Sequence, residues 1–145
     1  MEAVFGEKND FKSWVELVKL VSGNFPGLDL EYYKNILIEK MEKNETIVVK
    51  ENEKVVGALV FSYTEQEISF LAVHPEYRNK GIGLELVKKV ISLFPIGTKL
   101  IVITYRAGDE KGRNARKLYK KAGFSEGNLI TVFDYPCQEF IYIIK

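Results

Sequence analysis

The sequence predicts a mixed α/β fold, in which a central sheet carries helices on its faces. Apolar side chains recur at helical spacing in several separate segments, and the stretches between these segments are rich in valine and isoleucine. The elements run from an opening strand through two helices and a strand meander, and then alternate strand, helix, strand, helix before two closing strands. This order favours a layered α/β sheet and argues against a β-sandwich or a helical bundle.

Length and composition predict a single domain over 1–145. The chain has 145 residues, of which 46% are hydrophobic and 28% charged, and it contains no repeat or flexible linker. Lysine and arginine total 21 against 20 for aspartate and glutamate, so the charge gives no case for binding nucleic acid or an anionic membrane. Cys137 is the only cysteine, which excludes an internal disulfide and a cysteine-rich zinc site; no metal is expected. No signal peptide or membrane-spanning run is apparent, which predicts a cytoplasmic protein.

Two helices are predicted near the beginning of the chain. The first covers about 11–21 and is broken by segment 23–27. Its apolar stripe consists of Phe11, Trp14, Val15, Val18 and Val21. The second begins near Leu30, after the N-cap candidate Asp29. Its apolar stripe consists of Tyr33, Ile36, Leu37 and Met41.

Strands are predicted next, followed by a third helix and a central strand. Segments 46–50 and 54–63 form a hairpin, and strand 67–73 ends at His74-Pro75 because proline cannot donate to a sheet. A helix runs from Gly83 to the stop signals Pro95 and Gly97. Its apolar stripe consists of Leu84, Val87, Val90, Ile91 and Phe94. The apolar run 99–104 is typical of a central strand that is covered on both faces.

The last third of the chain predicts a helix and a closing hairpin. The helix covers 114–122 and stops at Gly123. Its apolar side consists of Ala115, Leu118, Tyr119 and Ala122. Segments 129–133 and 138–144 form the hairpin, with Tyr135-Pro136 in its turn.

Segment 78–83, Arg-Asn-Lys-Gly-Ile-Gly, leads from strand 67–73 directly into a helix. A helix start leaves backbone N–H groups without partners and carries the positive end of the helix dipole, so an anion bound there satisfies both. Gly81 and Gly83 lack the Cβ atoms that would keep a pyrophosphate away from the backbone. The P-loop motif fails because Leu84-Glu85 follows the last glycine, and the dinucleotide fingerprint fails because its third glycine is missing.

Two segments resemble the GNAT family of N-acetyltransferases. Segment 71–83, Leu-Ala-Val-His-Pro-Glu-Tyr-Arg-Asn-Lys-Gly-Ile-Gly, is similar to that family's acetyl-CoA motif, a hydrophobic strand followed by Arg/Gln-x-x-Gly-x-Gly/Ala. Segment 115–124, Ala-Arg-Lys-Leu-Tyr-Lys-Lys-Ala-Gly-Phe, is similar to its downstream motif, an Ala-x-x-Leu-Tyr helix that ends in Gly-Phe. Both segments occur in the family's order with an apolar strand between them, and the order of elements matches over nearly the whole chain.

The resemblance implies where acetyl-CoA, the expected cosubstrate, would bind. The twisted central sheet of the family splays open between strands 67–73 and 99–105, and the pantetheine arm enters this opening. The arm would bond to the backbone of Leu71, Ala72 and Val73. The pyrophosphate would be held by N–H groups of 79–84, namely those of Asn79, Lys80, Gly81, Ile82, Gly83 and Leu84. Arg78 would brace the turn or contact a phosphate, whereas Lys80 is expected to face solvent.

The resemblance also implies catalytic roles. Tyr119 matches the family tyrosine whose phenol protonates the leaving thiolate, and reference pKa values of about 8.5 for a thiol and 10 for a phenol make this chemically sensible. Glu67 occupies the position at which some relatives place the base, with an ordered water as the alternative; burial would raise its pKa toward neutrality. A backbone N–H near Val73 would bind the oxyanion. His74, the only histidine, is expected to be structural.

One departure from the family pattern concerns the pantetheine arm. The family often has an asparagine seven residues before the motif tyrosine, where this chain has Gly112. Asn114 either substitutes for it or caps the helix that follows, and the cap is slightly favoured. The acceptor pocket would be lined by the two early helices and the late hairpin. Trp14, Tyr32, Tyr33 and Asp134 are candidates there, although each also has a structural explanation, and Cys137 is expected to be a buried apolar residue.

The leading hypothesis is an enzyme that moves the acetyl group of acetyl-CoA to a primary amine of a small molecule or peptide, by direct attack through a tetrahedral intermediate. The alternative is a catalytically weak acyl-CoA-binding or sensor domain of the same fold, and a plain nucleotide-binding fold is the third possibility. The closing hairpin fits a homodimer as well as a monomer.

Overall fold

The computed structural model describes residues 1–25 and 27–145, and within them it shows a seven-stranded mixed sheet flanked by helices. The strands are β1 (Ala3–Phe5), β2 (Thr46–Glu51), β3 (Lys54–Ser62), β4 (Glu67–Val73), β5 (Lys99–Tyr105), β6 (Ser125–Val132) and β7 (Tyr135–Ile143). The helices are α1 (Phe11–Val21), α2 (Leu30–Glu42), α3 (Ile82–Ser92) and α4 (Arg113–Lys121). The predicted fold class is therefore confirmed.

The strand order in the sheet is β1-β2-β3-β4-β5-β7-β6. Strands β4 and β5 are parallel, and the other neighbouring pairs are antiparallel. Helix α3 connects the two parallel strands, as a parallel connection requires. The sheet thus has an antiparallel half before α3 and an antiparallel half after it, joined at β4 and β5.

Each face of the sheet has its own apolar core. On one face, called here the α1/α2 face, the buried side chains of α1 and α2 pack on those of β2, β3 and β4. On the opposite face, the α3/α4 face, Leu86 and Val90 of α3 and Tyr119 of α4 pack with side chains from most strands. Because α1 and α2 pack on the first half of the sheet, Ile101, Ile103 and Ile141 in the second half stay only half-buried on the α1/α2 face.

The two early helices follow the sequence closely. Helix α1 buries Trp14 completely and ends at Val21, and the predicted break 23–27 includes Pro26, which lies outside the described residues. The Asp29 side chain accepts a hydrogen bond from the backbone N–H of Tyr32, which confirms it as the N-cap of α2. The indole N–H of Trp14 donates to the Tyr33 hydroxyl at 2.8 Å. Trp14 and Tyr33 therefore belong to the core, whereas Tyr32 is exposed.

The apolar stripe of α3 differs from the prediction. The buried residues are Ile82, Leu86, Val87 and Val90, whereas Leu84 is only half-buried. The helix begins one residue earlier than predicted, and Ile82, Leu86 and Val90 line up four residues apart along the side that meets the sheet. Ile82 and Leu86 lie over Gly57 of β3, where a Cβ atom would come within 2.5 Å of the Ile82 side chain and 3.2 Å of the Leu86 side chain. Gly57 therefore allows the first turn of α3 to lie close to the sheet.

We expect Gly57→Ala to destabilise the protein by about 1–3 kcal/mol, the usual cost of overpacking a filled core. The added methyl group must displace Ile82, so the first turn of α3 should shift as well. The matched control is Gly23→Ala, because a Cβ atom on Gly23 meets nothing within 4 Å. Denaturant unfolding of both variants checks the prediction; equal midpoints would contradict it.

The closing hairpin is longer than predicted, and its turn lies elsewhere. Strand β6 begins at Ser125, and an irregularity in its pairing with β7 falls between Glu126 and Leu129. The turn is formed by Phe133 and Asp134, both with positive φ, so the prediction of Tyr135-Pro136 in the turn was wrong. Pro136 pairs with β6 opposite Thr131 and lies one residue beyond the last pairing of β7 with β5, at Cys137. A proline is tolerated there because the ladder toward β5 has already ended.

The start of α4 also differs from the prediction. The helix begins at Arg113 with Gly112 in the N-cap position, and a 3₁₀ turn over Glu110–Gly112 precedes it. Asn114 lies exposed inside the first turn, so the prediction that it caps the helix was wrong. The capping side chain is that of Asp109, which accepts a hydrogen bond from the backbone N–H of Lys111 at 3.0 Å. Capping therefore takes place one turn earlier in the chain.

Candidate functional site

Strands β4 and β5 separate soon after they meet. Along these two fully described strands the register pairs are Glu67–Ile101 and Ile68–Val102 only. Beyond them β4 continues to Val73 against β3, and β5 continues to Tyr105 against β7. A cleft therefore opens in the middle of the sheet, at the position where the sequence predicts the splay.

The backbone of β4 presents alternate residues to this cleft. The N–H of His74 donates to the carbonyl of Val56 in β3, so in an antiparallel pair Ala72 also directs its polar groups toward β3. Leu71 and Val73 then direct theirs away from β3 and into the cleft. A register shift between Val60 and Phe61 of β3, opposite Ser69, precedes this segment. Of the three predicted backbone contacts, Leu71 and Val73 face the opening and Ala72 does not.

The N-terminus of α3 lies just past the end of β4. Gly81 is its N-cap, with φ of 82° and no side chain to accept from the first turn. The first intrahelical bond runs from Glu85 N–H to the Gly81 carbonyl. The N–H groups of Ile82, Gly83 and Leu84 therefore have no partner within the helix, as expected for a first turn. Unpaired N–H groups and the positive end of the helix dipole are the features that favour an anion at a helix start.

The two glycines of this segment have different roles. Gly81 adopts a left-handed conformation that glycine adopts without cost, and nothing lies within 4 Å of its missing Cβ. A Cβ on Gly83 would come within 2.9 Å of the Leu118 side chain in α4. Gly83 thus permits close packing of α3 on α4, which the sequence did not reveal.

The side chains around the turn mostly stabilise it. Arg78 Nε donates to the carbonyl of Val73 at 3.4 Å, which matches the predicted bracing role. Lys80 Nζ lies 5.2 Å above the ring of the half-buried Tyr77 and is otherwise exposed. The buried His74 accepts a hydrogen bond at Nδ1 from the N–H of Glu76, and its ring packs edge-on against Tyr77. His74 therefore has the structural position that the sequence predicts.

Tyr119 is buried on the α3/α4 face, one residue after the Leu118 that packs on Gly83. Its ring packs beside Phe124 and Phe140, and only 5% of the residue is exposed. Its hydroxyl has no hydrogen-bond partner among the described residues. Burial raises the pKa of the Tyr119 phenol, so the hydroxyl stays protonated throughout the physiological range.

Glu67 lies on the opposite side of the sheet. It pairs with Ile101, whose neighbours Leu100 and Val102 belong to the α3/α4 core, so Glu67 points to the α1/α2 face. Partial burial raises the pKa of the Glu67 carboxyl, and the negative charges of Glu65 and Glu139 raise it further. Glu139 stands on β7 opposite Ile103 and so shares this face. The two candidate catalytic groups therefore lie on opposite faces of the sheet, with Glu67 in the part of β4 that is still paired with β5.

Some residues near the cleft were missed by the sequence analysis. Arg116 of α4 is buried and donates to the carbonyl of Tyr105, to Gln138 Oε1 at 2.8 Å and to Glu126 at 2.7 Å. Arg106 donates to the carbonyls of Ile130 and Cys137. These arginines tie the end of β5 to the closing hairpin. Their partners are 10–31 residues away in sequence, so no local pattern could have revealed these hydrogen bonds.

Two negative findings apply to residues 1–25 and 27–145. No helix there is long and apolar enough to cross a membrane. No cluster of three or more histidine, cysteine, aspartate or glutamate side chains there is arranged to hold a metal ion. Cys137 is buried, as predicted.

Comparison with known proteins gives a family match. Residues 14–124 match the acetyltransferase (GNAT) family. Among curated proteins, none matches the sequence significantly.

Solved structures share the fold at low sequence identity. A GNAT-family acetyltransferase from Bacillus cereus ATCC 10987 superposes with a TM-score of 0.82 at 18% identity, covering 98% of this chain and 96% of that one. An N-acetyltransferase from Staphylococcus aureus Mu50 superposes with a TM-score of 0.77 at 16% identity, with coverage of 98% and 100%. A ribosomal-protein-alanine N-acetyltransferase from Brucella melitensis gives 0.73 at 16% identity, with 99% of each chain covered.

Proposed function

Because the chain belongs to the acetyltransferase (GNAT) family, we propose that it is a single-domain enzyme that transfers the acetyl group of acetyl-CoA to a primary amine of a small molecule or peptide. The observation that carries this proposal is the cleft between β4 and β5, which opens beside the unpaired N–H groups of α3. A strand edge and a helix start together fit a ligand that has an extended amide-containing arm and a pyrophosphate.

The proposed cosubstrate site uses both elements. The N–H groups of Ile82, Gly83 and Leu84 bind the pyrophosphate, and the segment from Asn79 to Gly81 surrounds it. The cleft-facing polar groups of Leu71 and Val73 pair with the amides of the pantetheine arm in the manner of an added strand. The side chain of Arg78 stabilises the turn between these elements through Val73. Asn114 is exposed in the first turn of α4 and has no assigned contact in this scheme.

The proposed reaction places the base and the acid on opposite sides of the cleft. On the α1/α2 face, Glu67 removes a proton from the bound ammonium, directly or through a water, and frees the lone pair that attacks the thioester carbon. A cleft-facing N–H of Leu71 or Val73 donates to the carbonyl oxygen as charge develops there. The carbon–sulfur bond then breaks, and Tyr119 gives its proton to the departing thiolate from the α3/α4 face. The second proton of the nitrogen is released to water as the amide forms, and the Tyr119 phenolate regains a proton from water.

The acceptor is proposed to approach over the half of the α1/α2 face that the helices leave uncovered. That surface combines half-buried isoleucines with the carboxylates of Glu67 and Glu139. The apolar and acidic side chains suit an amine that arrives as a cation. One structural neighbour, the Brucella enzyme, is named for acting on an alanine of a ribosomal protein, and a peptide amine is an acceptor class of this kind.

The test combines ligand binding with turnover. Thermal unfolding is measured with CoA, pantetheine, ATP and NAD, since a ligand that binds only the native state raises the melting temperature. We expect CoA to give the largest shift, because only CoA engages both the cleft and the helix start. Thiol release from acetyl-CoA is then followed against a panel of amines. CoA binding without any turnover would favour an acyl-CoA-binding domain, and no CoA binding would contradict the proposal.

Substitution of Gly81 tests the pyrophosphate site. We expect Gly81→Asp to weaken CoA binding at least about tenfold more than Gly81→Asn, because a carboxylate at the helix start repels the pyrophosphate. Asparagine is the matched control, since it has the same size and also tolerates a left-handed backbone. Isothermal titration of both variants with CoA checks the difference; equal affinities would place the pyrophosphate elsewhere.

A further inference from the structure

The loop between β5 and α4 starts at the open end of the cleft. Strand β5 ends at Tyr105, beyond its last pairing with β4, and residues 106–112 lead from there to α4 and Tyr119. Turns stabilise the loop internally, with Asp109 N–H donating to the Arg106 carbonyl and Gly112 N–H donating to the Asp109 carbonyl. The position of this loop therefore affects the side of the cleft that β5 forms.

Tyr135, at the tip of the closing hairpin, contacts the 106–112 loop and the end of β5. The hydroxyl of Tyr135, the first residue of β7, donates to Asp109 Oδ2 at 2.6 Å. The Tyr135 ring packs edge-on against Tyr105 at 5.2 Å, and Lys111 Nζ lies 5.2 Å from the centre of the same ring. The hydrogen bond to Tyr135 lowers the pKa of the Asp109 carboxyl, which keeps it ionised. We call these four residues, Tyr105, Asp109, Lys111 and Tyr135, the loop–hairpin contact.

Gly112 explains why the loop lies so close to β5. A Cβ atom at this position would come within 2.7 Å of the Tyr105 Cβ and 3.4 Å of its Cα. A larger side chain at this position would therefore push the loop away from the strand. With glycine at this position, the loop reaches Tyr105 and brings Asp109 within hydrogen-bonding distance of Tyr135.

We infer that the loop–hairpin contact couples the proposed CoA site to the proposed acceptor surface. When CoA occupies the cleft, the 106–112 loop becomes more rigid, and the contacts of Tyr135 with this loop make the hairpin beside the acceptor surface more rigid as well. The inference rests on the proposed function, because it takes the cleft to be the CoA site. Tyr135 is a positioning residue in this scheme and touches neither reacting group. The hairpin is suited to respond, since β6 is an edge strand and the turn residues Phe133 and Asp134 are exposed. Ordering a segment in advance lowers the cost of binding the second ligand.

The experiment measures amide hydrogen exchange of peptides covering 129–137 in the full-length protein, with and without saturating CoA. In the wild type we expect CoA to slow exchange there about fivefold, the lower end of typical coupling between two sites. In Tyr135→Phe the ring stays and the hydrogen bond to Asp109 is lost, so CoA should still bind but leave exchange of the hairpin unchanged. Asp109→Asn keeps an oxygen that can accept the hydrogen bond from Tyr135. In this variant CoA should therefore still slow amide exchange of the hairpin nearly as much as in the wild type.

Tyr142→Phe is the matched control, because this hydroxyl lies on the same strand and makes no hydrogen bond among the described residues. We expect it to behave as the wild type does. If CoA binds and the hairpin of Tyr135→Phe is still protected, or if the wild-type hairpin does not respond, the coupling is overturned while the proposed function stands. If CoA fails to bind the wild type, both are overturned.

Discussion

Replacing Glu67 with glutamine is expected to lower kcat for amine acetylation about 100- to 1,000-fold, within the range that a general base contributes. Glutamine keeps the size and polarity of the side chain and cannot accept the proton. The proposed contacts of β4 with CoA are backbone groups of Leu71 and Val73, which the substitution leaves in place, so CoA should bind with unchanged affinity. Steady-state kinetics together with calorimetric titration check both halves of the prediction.

The pH profile separates a base from a residue that only positions the amine. Burial and the charges of Glu65 and Glu139 all raise the pKa of Glu67, so the acidic limb of the wild-type rate should lie at higher pH than an ordinary glutamate would give. Glu67→Gln should lose this acidic limb. Glu65→Gln is the control: it removes one of the charges that raise the pKa, so it should move the limb to lower pH and keep the plateau. A limb that persists in Glu67→Gln would assign the titration to another group, such as the acceptor amine, and would contradict the role of Glu67 as the base.

Glu67→Gln should raise the stability of the folded protein although it lowers its activity. The folded-state pKa of Glu67 is raised, so the folded protein prefers the protonated carboxyl, and ionisation costs stability as pH rises through the unfolded and then the folded value. At neutral pH, Glu67→Gln should therefore have a higher melting temperature than the wild type. The difference should vanish below about pH 4, where the carboxyl is protonated in both states. If the melting temperature of Glu67→Gln were higher by the same amount at every pH, the cause would be better packing of glutamine and not the removal of a charge.

Replacing Tyr119 with phenylalanine is expected to lower kcat about 100-fold, the lower end of a general acid's contribution. Phenylalanine preserves the packing against Phe124 and Phe140, and the hydroxyl that is lost has no partner among the described residues. CoA affinity and the melting temperature should thus stay close to the wild-type values. Thiol release, measured beside CoA titration, distinguishes this result from a general loss of structure.

The leaving group provides a sharper test of the role of Tyr119. An acid that protonates the thiolate matters less when the departing thiol is more acidic, so an acetyl thioester of such a thiol should narrow the gap between Tyr119→Phe and the wild type. Tyr142→Phe, which also loses only a hydroxyl, should show no defect with either donor. A constant deficit with both donors would argue against proton transfer from Tyr119.

The turn after β4 was predictable because its chemistry uses consecutive residues. The helix-start N–H groups, the left-handed Gly81 and the strand before them all lie within 71–84, and local sequence decides each of them. The cap of α4 was predicted at Asn114, whereas Gly112 occupies the N-cap position and the capping side chain, Asp109, lies at the start of the preceding 3₁₀ turn. That choice depends on the packing of Gly112 on Tyr105 and on the hydrogen bond from Tyr135, which are contacts between distant parts of the chain.

The turn of the closing hairpin is a second feature that local sequence did not predict correctly. Tyr135-Pro136 has the composition of a turn, whereas the structure turns at Phe133 and Asp134 in left-handed conformations, which are uncommon for phenylalanine and more frequent for aspartate. Pairing of β7 with both β5 and β6 fixes this position, because the register of a strand is set by its partners. The pairing of β7 with its two neighbours therefore outweighs the turn preference of Tyr135-Pro136.

By itself the sequence determined the layered fold, the order of its elements and the turn from Arg78 to Leu84, for which anion binding is proposed. Tertiary structure decided that Leu71 and Val73, rather than Ala72, open into the cleft, that Glu67 and Tyr119 lie on opposite faces of the sheet, and that Gly83 lets α3 pack closely on α4. The physical reason is the range of the interactions. Helix starts and turns are governed by neighbouring residues, whereas the face of a strand and the contact of two helices depend on which distant segments pack together.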